Sequence, residues 1–264
     1  WEFYLARLGI VGVSKIDSLL IFLSGFVLTI TPGKVGEVFK SAVLLRTHGV
    51  PMERSAPIIV AERLTDAIAV VVLILIGSLG FNGGLLWAGL GSAMVLLGML
   101  FIIWPMPAEI LLRLVARTPL QALGPKLRTA LESLRVLASP SALLIPTALS
   151  VLAWGAEGCA LYVLLMGFGT HTSFALALFF YSTATLAGAL IPVPGGLGVT
   201  DGMLQKQLVQ LGGVSSGIAT SSMIMVRFAT LWWAVLIGFA ALAGINLRYP
   251  GKVSAVDSKA PQGS

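Results

Sequence analysis

Five ionisable side chains fall inside apolar stretches of this chain: Glu62, Arg63, Asp66, Glu157 and Arg227. A charge at the centre of a membrane-spanning helix costs on the order of 2–3 kcal/mol, so such residues usually face a protein interior or a wet cavity and carry function. Arg63 and Asp66 are three residues apart, and Glu62 and Asp66 are four apart, which places all three on one helix face. Ion pairing, contact with a charged headgroup and proton coupling are the chemistry open to these residues.

Each arginine has two interpretations. Arg63 either forms an internal ion pair while snorkelling toward an interface, or meets a lipid phosphate while the neighbouring carboxylates hold it in place. Residues 202–256 contain no acidic side chain, so a partner for Arg227 must come from elsewhere, and Asp201 and Glu157 are the candidates. An unpaired charge there would be very costly, so we expect pairing through the core of a bundle. Purely structural pairing and a role in substrate contact or proton coupling both stay open.

Two similar breaks interrupt the apolar runs. The first Pro-Gly break, residues 31–37, reads TPGKVGE, and the second, residues 193–201, reads VPGGLGVTD. Proline removes a backbone donor and glycine frees φ, so a helix stops there. The next helix begins with exposed N–H groups and a positive dipole end, which bind anions such as phosphate. Two such ends facing each other would form a lipid-phosphate site; the simpler alternative is a tight turn at the membrane surface.

The composition indicates that these elements lie in a membrane. The chain is 57% hydrophobic and 11% charged, whereas soluble domains carry about 25% charged residues. Since an α-helix needs about 20 apolar residues to cross a bilayer, long uncharged runs predict an all-α, polytopic transmembrane helix bundle. The candidate spans are residues 16–31, 56–80, 83–104, 141–168, 172–192 and 214–246.

The basic residues predict the orientation. Residues 105–140 hold five Lys or Arg against two Glu, so this connection, amphipathic over 106–140, should be cytoplasmic, as should a disordered tail, 247–264. Spans 172–192 and 214–246 then both run inward, which requires segment 199–212 to be a half-helix or re-entrant piece. The net charge of +6 is expected to meet anionic lipid headgroups and not nucleic acid.

The two breaks also predict an internal repeat. The separation between Glu37 and Arg63 along the chain equals the separation between Asp201 and Arg227. The predicted topology makes the two arginine-bearing spans antiparallel. A span, a Pro-Gly break, a short segment and a charged span therefore occur twice in opposite orientations, which is typical of an inverted repeat with Pro-Gly-broken half-helices.

These motifs carry a resemblance to a known family. The stretches TPGKVGEVFK, AERLTDA and IPVPGGLGVTD resemble the flippase-like family, which comprises the transmembrane region of lysylphosphatidylglycerol synthases and its stand-alone relatives. The likeness runs from about residue 16 to 246 and implies a bacterial inner-membrane protein of about eight spans, here an N-terminally truncated transmembrane domain over residues 1–246. It also implies translocation of aminoacylated phospholipid in the synthases and lipid handling in the relatives. Asp201 stands where the family commonly has Glu.

From these observations we expect an integral membrane protein that translocates or handles a phospholipid or a lipid-linked intermediate. The alternative is a non-transporting membrane subunit or scaffold of a lipid or glycolipid synthesis complex. The expected headgroup-binding residues are Gly33, Lys34, Gly36, Glu37, Lys40, Arg63, Gly195, Gly196, Gly198, Asp201 and Arg227. Structural or charge-pairing roles are expected for Pro32, Glu62, Asp66, Glu157 and Pro194.

Catalysis is not expected within this chain. Glycosyl or acyl transfer would need a positioned base or a metal near the membrane surface. His48 and His171 occur singly and no acidic pair of the DxD kind is present, so we expect no enzyme, no metal and no cofactor. Membrane lipids are the expected partners, and a lipid-modifying enzyme is a candidate further partner.

Overall fold

A computed structural model of the chain describes residues 1–31, 36–79, 84–103, 105–116, 118, 121–191 and 193–252. All regular structure in these ranges is helical. The α-helices, in chain order, are α1 Glu2–Arg7, α2 Lys15–Ser24, α3 Phe39–His48, α4 Met52–Ser55, α5 Pro57–Ser78, α6 Gly84–Ile103, α7 Pro105–Ala116, α8 Gly124–Leu137, α9 Pro140–Gly167, α10 Phe174–Leu190, α11 Val199–Gln210, α12 Ser216–Arg227 and α13 Trp233–Arg248.

Five of the predicted spans correspond to observed helices. Helices α5, α6, α9 and α10 begin and end within two residues of the predicted bounds. The predicted span 214–246 is one continuous helix, Ser216–Arg248, in which α12 and α13 are joined by a π-helical turn, Phe228–Trp232. Long apolar runs with few charges locate these helices, because a helix satisfies its own backbone polar groups and its apolar side chains can then meet hydrocarbon.

The predicted span 16–31 is helical in the structure but shorter than a regular spanning α-helix. The structure has a 10-residue α-helix, α2, followed by a four-residue 3-10 turn, Gly25–Leu28. Together they rise about 23 Å, less than the ~30 Å of a bilayer core. Lys40 packs directly on the turn: a methyl group on Gly25 would lie 2.5 Å from Lys40 Cγ. The α-helix α2 therefore ends where the Lys40 side chain packs against Gly25. Hydropathy alone does not predict such a contact.

Short helices follow both Pro-Gly breaks, as the sequence predicts. A 3-10 turn at residues 36–38 leads into α3, which ends at Gly49 with φ +71°. The second break forms a 3-10 turn at Pro194–Gly196 and then leads into α11. Gly195, Gly196 and Gly198 all have positive φ, between 58° and 83°, which only glycine adopts without strain. The segment that follows each break is therefore a short helix and not a full span, as predicted for residues 199–212.

The long basic connection is helical along much of its length. Helix α8 lies within the stretch 106–140 that the sequence predicts to be amphipathic, and its Leu137 and Ser133 are buried against the rest of the protein. Helix α8 packs on α4 and α5. Helix α7 covers the beginning of the same amphipathic stretch. The predicted disordered tail falls largely on residues 253–264, outside the described residues.

Helix α5 lies at the centre of the bundle, with α6, α9 and α10 packed against it. The contact with α10 is close because Gly77 has no side chain: a methyl group there would lie 2.8 Å from the Ala175 carbonyl oxygen. Helix α13 packs on α2 and on the turn that follows it, and α11 packs on α10 and α12. This arrangement buries the end of α2, whereas the last residues of α10, where the second break begins, are exposed.

The outer surface of the bundle is apolar. Helix Pro140–Gly167 and helix Ser216–Arg248 are long enough and apolar enough to cross a membrane. Large side chains such as Leu144 and Leu152 on α9 are 73% and 70% exposed. An apolar exterior around charged interior residues is the arrangement expected when hydrocarbon is the solvent.

Candidate functional site

The first half of the chain contributes a continuous chain of ion pairs. Arg63 Nη2 lies 3.1 Å from Glu37 Oε2 and 3.1 Å from Asp66 Oδ2. Lys40 Nζ lies 2.6 Å from Glu62 Oε2 and 3.6 Å from Glu37 Oε2. Glu37 and Lys40 are almost fully buried, at 3% and 1% exposure. Three carboxylates and two cations from the break, α3 and α5 therefore form one network.

The second half contributes a simpler pair. Arg227 Nε lies 2.9 Å from Asp201 Oδ1, and Arg227 Nη2 also donates to the Gly195 carbonyl oxygen. Asp201 is one of the two partners that the sequence predicted for Arg227. The Asp201 side chain reaches the guanidinium from the first turn of α11. Arg227 is thus held both by the short helix α11 and by the backbone of the second break.

Asp201 also occupies the start of α11. The Gly198 N–H donates to Asp201 Oδ2 at 3.0 Å, so the carboxylate caps the first turn. We expected an external anion at this helix end; in the structure the side chain of the helix itself accepts a donor there. A headgroup phosphate would therefore meet the Arg227 guanidinium together with an existing carboxylate partner.

Helix α9 adds two polar contacts that the sequence did not predict. Ser150 donates to Asp66 Oδ1 at 2.9 Å, which links α9 to the network of the first half. Tyr181 on α10 donates its hydroxyl proton to Glu157 Oε2. Glu157 was predicted to pair through the bundle core, and this hydrogen bond crosses from α9 to α10. Helix α9 therefore contacts α5 of the first half through Ser150 and α10 of the second half through Glu157.

The start of the first Pro-Gly break lies close to the second break. A methyl group on Gly195 would lie 3.6 Å from Cα of Ile30, the residue just before the first break. Pro32, Gly33 and Lys34, which the sequence placed in the site, lie outside the described residues. The described ends of the two breaks are therefore neighbours in the fold and are not separate turns on opposite faces.

A cavity of about 640 Å³ lies beside this junction. Nine of the residues singled out from the sequence line it, and they are Glu37, Lys40, Glu62, Arg63, Asp66, Glu157, Gly195, Gly196 and Arg227. Asp201 pairs with Arg227 from outside the lining, and Gly36, Pro194 and Gly198 are likewise not in contact with the cavity. Gly36 has a packing role: its N–H donates to Thr31 Oγ1 at 2.8 Å, and a methyl group there would lie 2.5 Å from Leu28 Cβ.

The sequence analysis missed the uncharged part of the lining. Aromatic side chains form much of it, among them Tyr4, Phe22, Phe26, Trp154 and Tyr181. Burial raises the pKa of Tyr4, which precedes the first candidate span, to about 12, so its phenol stays neutral at physiological pH. Aromatic residues in an apolar chain give no signal that separates a cavity wall from ordinary packing.

The electrostatic balance of the cavity is mixed. Its lining includes four carboxylates, of Glu37, Glu62, Asp66 and Glu157, against the three cations of Lys40, Arg63 and Arg227. Among the described residues, no group of three or more His, Cys, Asp or Glu side chains is arranged to hold a metal ion. The arrangement can bind a charged group by exchanging partners in its ion pairs, with both signs of charge on offer.

An apolar exterior, helices of spanning length and a charged interior cavity define a helical membrane protein. The family described as the lysylphosphatidylglycerol synthase TM region matches residues 1–238, and the chain belongs to this family.

Two curated relatives, each named UPF0104 membrane protein, come from Methanothermobacter thermautotrophicus. One is 32% identical over 90 residues, covering 34% of this chain and 27% of the relative; the other is 30% identical over 94 residues, covering 36% and 28%. The matched segment thus spans little more than a quarter of each relative. No solved structure matches the chain. Because both relatives are archaeal, the comparisons support a membrane protein and do not restrict its relatives to bacteria.

Proposed function

We propose that this protein translocates or handles a phospholipid or a lipid-linked intermediate, with the cavity as the headgroup site. The observation that carries the proposal is that the Glu37–Arg63 ion pair of the first half and Arg227 of the second half line one cavity of about 640 Å³. Charged groups inside membrane-spanning helices are costly, so they usually serve a function. Ion pairing alone would not require a cavity beside them, whereas a headgroup-binding site would.

An inverted repeat is part of the proposal, and the alignment of the two halves supports it. One constant offset along the chain relates Glu37 to Asp201 and Arg63 to Arg227. The same offset relates Gly49 to Gly213, and these glycines have φ of +71° and +63°. It also relates the first residue of α4, Met52, to the first residue of α12, Ser216. The charged pair, the turn glycine and the first residue of α4 therefore keep one register with the second half, whereas the Pro-Gly pairs are shifted by two residues.

The packing of the helices supports the same symmetry. Helix α2, which precedes the first break, packs on α13 of the second half. Helix α10, which precedes the second break, packs on α5 of the first half. A pseudo-two-fold axis that exchanged the two halves would produce this reciprocal pairing. In transporters of this kind, substrates bind at the interface between the repeats, and rocking of one repeat against the other alternates access.

The charges favour a particular kind of headgroup. Since both arginines already have carboxylate partners, a bare phosphate would have to displace one of them. A headgroup that carries a positive group beside its phosphate can satisfy both the displaced carboxylate and the arginine. We therefore infer that the preferred headgroup is zwitterionic or carries an amine, and not a simple phosphate monoester.

Lipid movement by the reconstituted protein tests the proposal. Fluorescently labelled phospholipid is reconstituted with the protein in vesicles, and the fraction accessible to a membrane-impermeant quencher is followed over time. We expect the wild type to move lipid, Arg227→Leu to lose the activity and Arg227→Lys to keep part of it. Unchanged lipid movement by a folded Arg227→Leu variant, verified by size-exclusion chromatography, would count against the proposal.

A non-transporting subunit or scaffold of a lipid synthesis complex is the second candidate. The pairing of Arg63 and Arg227 with carboxylates favours it, because a purely structural network needs such pairs and needs no substrate. On this hypothesis the wild type moves no lipid, yet it co-purifies with a lipid-modifying enzyme, and Arg227→Leu weakens that association only through unfolding.

We further infer that the chain is not itself an enzyme. His48 lies against Tyr249 at the end of the bundle, with Nε2 3.7 Å from Asp17 Oδ2, and His171 is exposed. Neither histidine lines the cavity.

The proposed location is a bacterial inner membrane, with residues 105–140 and the C-terminal tail cytoplasmic. Labelling of single cysteines in these segments from each side of sealed vesicles tests the orientation.

A further inference from the structure

The middle of α9 differs from its ends. Residues 144–157 include no buried residue, whereas α9 buries Ala142 and Leu143 before this stretch and Gly158, Leu161 and Leu165 after it. All the α9 residues that line the cavity fall within the same stretch, and they are Pro146, Leu149, Ser150, Ala153, Trp154 and Glu157. Their spacing of three and four residues places them on one helix face. The stretch is therefore a cavity wall anchored at both ends.

This wall is one helix thick. Its opposite face carries Leu144 and Leu152, which are 73% and 70% exposed. Two lining residues, Leu149 and Ala153, are themselves exposed, Leu149 at 60%. A residue that both lines a cavity and is exposed lies at its rim. The rim beside α9 is thus apolar, and in a membrane protein an apolar surface in the middle of a spanning helix faces hydrocarbon.

Two polar contacts hold this stretch against the interior. Ser150 donates to Asp66 on α5, and Glu157, seven residues later, accepts from Tyr181 on α10. Pro146 lies inside the helix one turn before Ser150 and removes one backbone hydrogen bond from it. These two hydrogen bonds therefore connect the wall to α5 and to α10, close to a position where the helix is weakened.

We propose that residues 144–157 of α9 form a lateral entrance through which a phospholipid headgroup passes from the bilayer into the cavity. This inference rests on the proposed function of the cavity. A water-soluble ligand would need a polar rim open to water, whereas a lipid matches what is present. Its headgroup meets the ion pairs inside, and its acyl chains stay in hydrocarbon against Leu144, Leu152 and the rim. Ser150 and Glu157 position the wall in its closed state.

A lipid that carries a maleimide on its headgroup tests the route. The exposed Cys159 is replaced by Ser, and a single cysteine is placed at Thr185 on α10, in the cavity lining. A matched control carries its cysteine at Leu152 on the outer face of α9. The variants are reconstituted in phosphatidylcholine vesicles containing maleimide-phosphatidylethanolamine, and a water-soluble sulfonated maleimide is used in parallel.

We expect the lipid probe to label Thr185→Cys and to label Leu152→Cys about tenfold more slowly, because headgroups do not enter the hydrocarbon beside the middle of α9. Ser150→Ala should raise labelling at Thr185→Cys about threefold, because one contact of the wall is lost. Ala153→Trp should block the rim and lower labelling by the lipid probe.

Other results would overturn the lateral route. Labelling by the water-soluble maleimide alone would show a cavity reached from water, and labelling unchanged by Ala153→Trp would place the path elsewhere. Failure of both probes would show that no lipid reaches the cavity wall at Thr185. The lipid-movement assay is run on the same variants, so a failed route with intact lipid movement leaves the proposed function standing.

Discussion

Arg227 lies 2.9 Å from Asp201, whose carboxylate also accepts the N–H of Gly198. One side chain therefore does two things at the second Pro-Gly break: it caps α11 and it pairs with the charge of a spanning helix. In the first half, Glu37 pairs with Arg63 across the same separation along the chain. In each half, the segment at the Pro-Gly break is thus coupled to the arginine of the following long helix.

The two roles of Asp201 can be separated by substitution. Asp201→Asn keeps an oxygen for the Gly198 N–H but loses the charge, so it should destabilise by about 1–3 kcal/mol through the ion pair. Asp201→Ala loses the cap as well, and we expect a further cost of about 0.5–2 kcal/mol. Thermal unfolding in detergent measures both. Equal stability of the two variants would show that the cap contributes nothing.

Asp201→Glu is the control for geometry, because it keeps the charge and lengthens the side chain by one methylene. It should retain most of the stability that Asp201→Asn loses. If Asp201→Glu is as unstable as Asp201→Ala, the short side chain is required by the packing of α11 and not by the charge of Arg227.

The sequence predicted the parts of this fold that depend on local composition. The helices of spanning length follow from uncharged runs, and Asp201 was one of two partners expected for Arg227. The shortening of α2 was not predicted, because it occurs where Lys40 packs on Gly25, a contact between residues far apart in the chain. The hydrogen bond from Ser150 to Asp66 joins two helices that are far apart in the chain, so the sequence analysis missed it for the same reason. Cavity walls depend on how helices pack, which hydropathy does not encode.

The second half offers a natural control for the buried pair Lys40–Glu62. The offset that relates Glu37 to Asp201 also relates Lys40 to Leu204 and Glu62 to Val226. Both Leu204 and Val226 are fully buried. Lys40→Leu alone leaves Glu62 without its partner at 2.6 Å and should cost about 3–5 kcal/mol. The double variant Lys40→Leu/Glu62→Val replaces an ion pair by an apolar pair, which is often neutral.

Chemical or thermal unfolding of the single and double variants measures this coupling. We expect the double variant to recover most of the loss. If it recovers stability but loses lipid movement, the pair serves the headgroup site; if it is as unstable as Lys40→Leu, the apolar pair does not fit the first half and the equivalence of the halves is contradicted.

The end of α10 and the start of α11 approach so closely that only glycine fits at position 188. A methyl group on Gly188 would lie 2.0 Å from Thr200 Oγ1 and 3.3 Å from Thr200 Cβ. Gly188→Ala should therefore destabilise by about 1–3 kcal/mol through overpacking. Adding Thr200→Ala removes the clashing oxygen and should restore much of the loss, as measured by thermal unfolding. No rescue would show that backbone strain, not the hydroxyl, opposes the substitution.

Gly49 and Gly213 test whether the two halves share their turn geometry. Both have positive φ, and an added methyl group would meet no atom within 4 Å at either position. Alanine should therefore act at both only through backbone strain, costing about 1–2 kcal/mol each. Gly98 in α6 is the matched control: it also has open space, but its φ is not positive, so Gly98→Ala should be neutral or stabilising by up to about 1 kcal/mol. Unfolding of the three variants under one set of conditions makes the comparison, and a large cost at only one of Gly49 and Gly213 would contradict equivalent turns in the two halves.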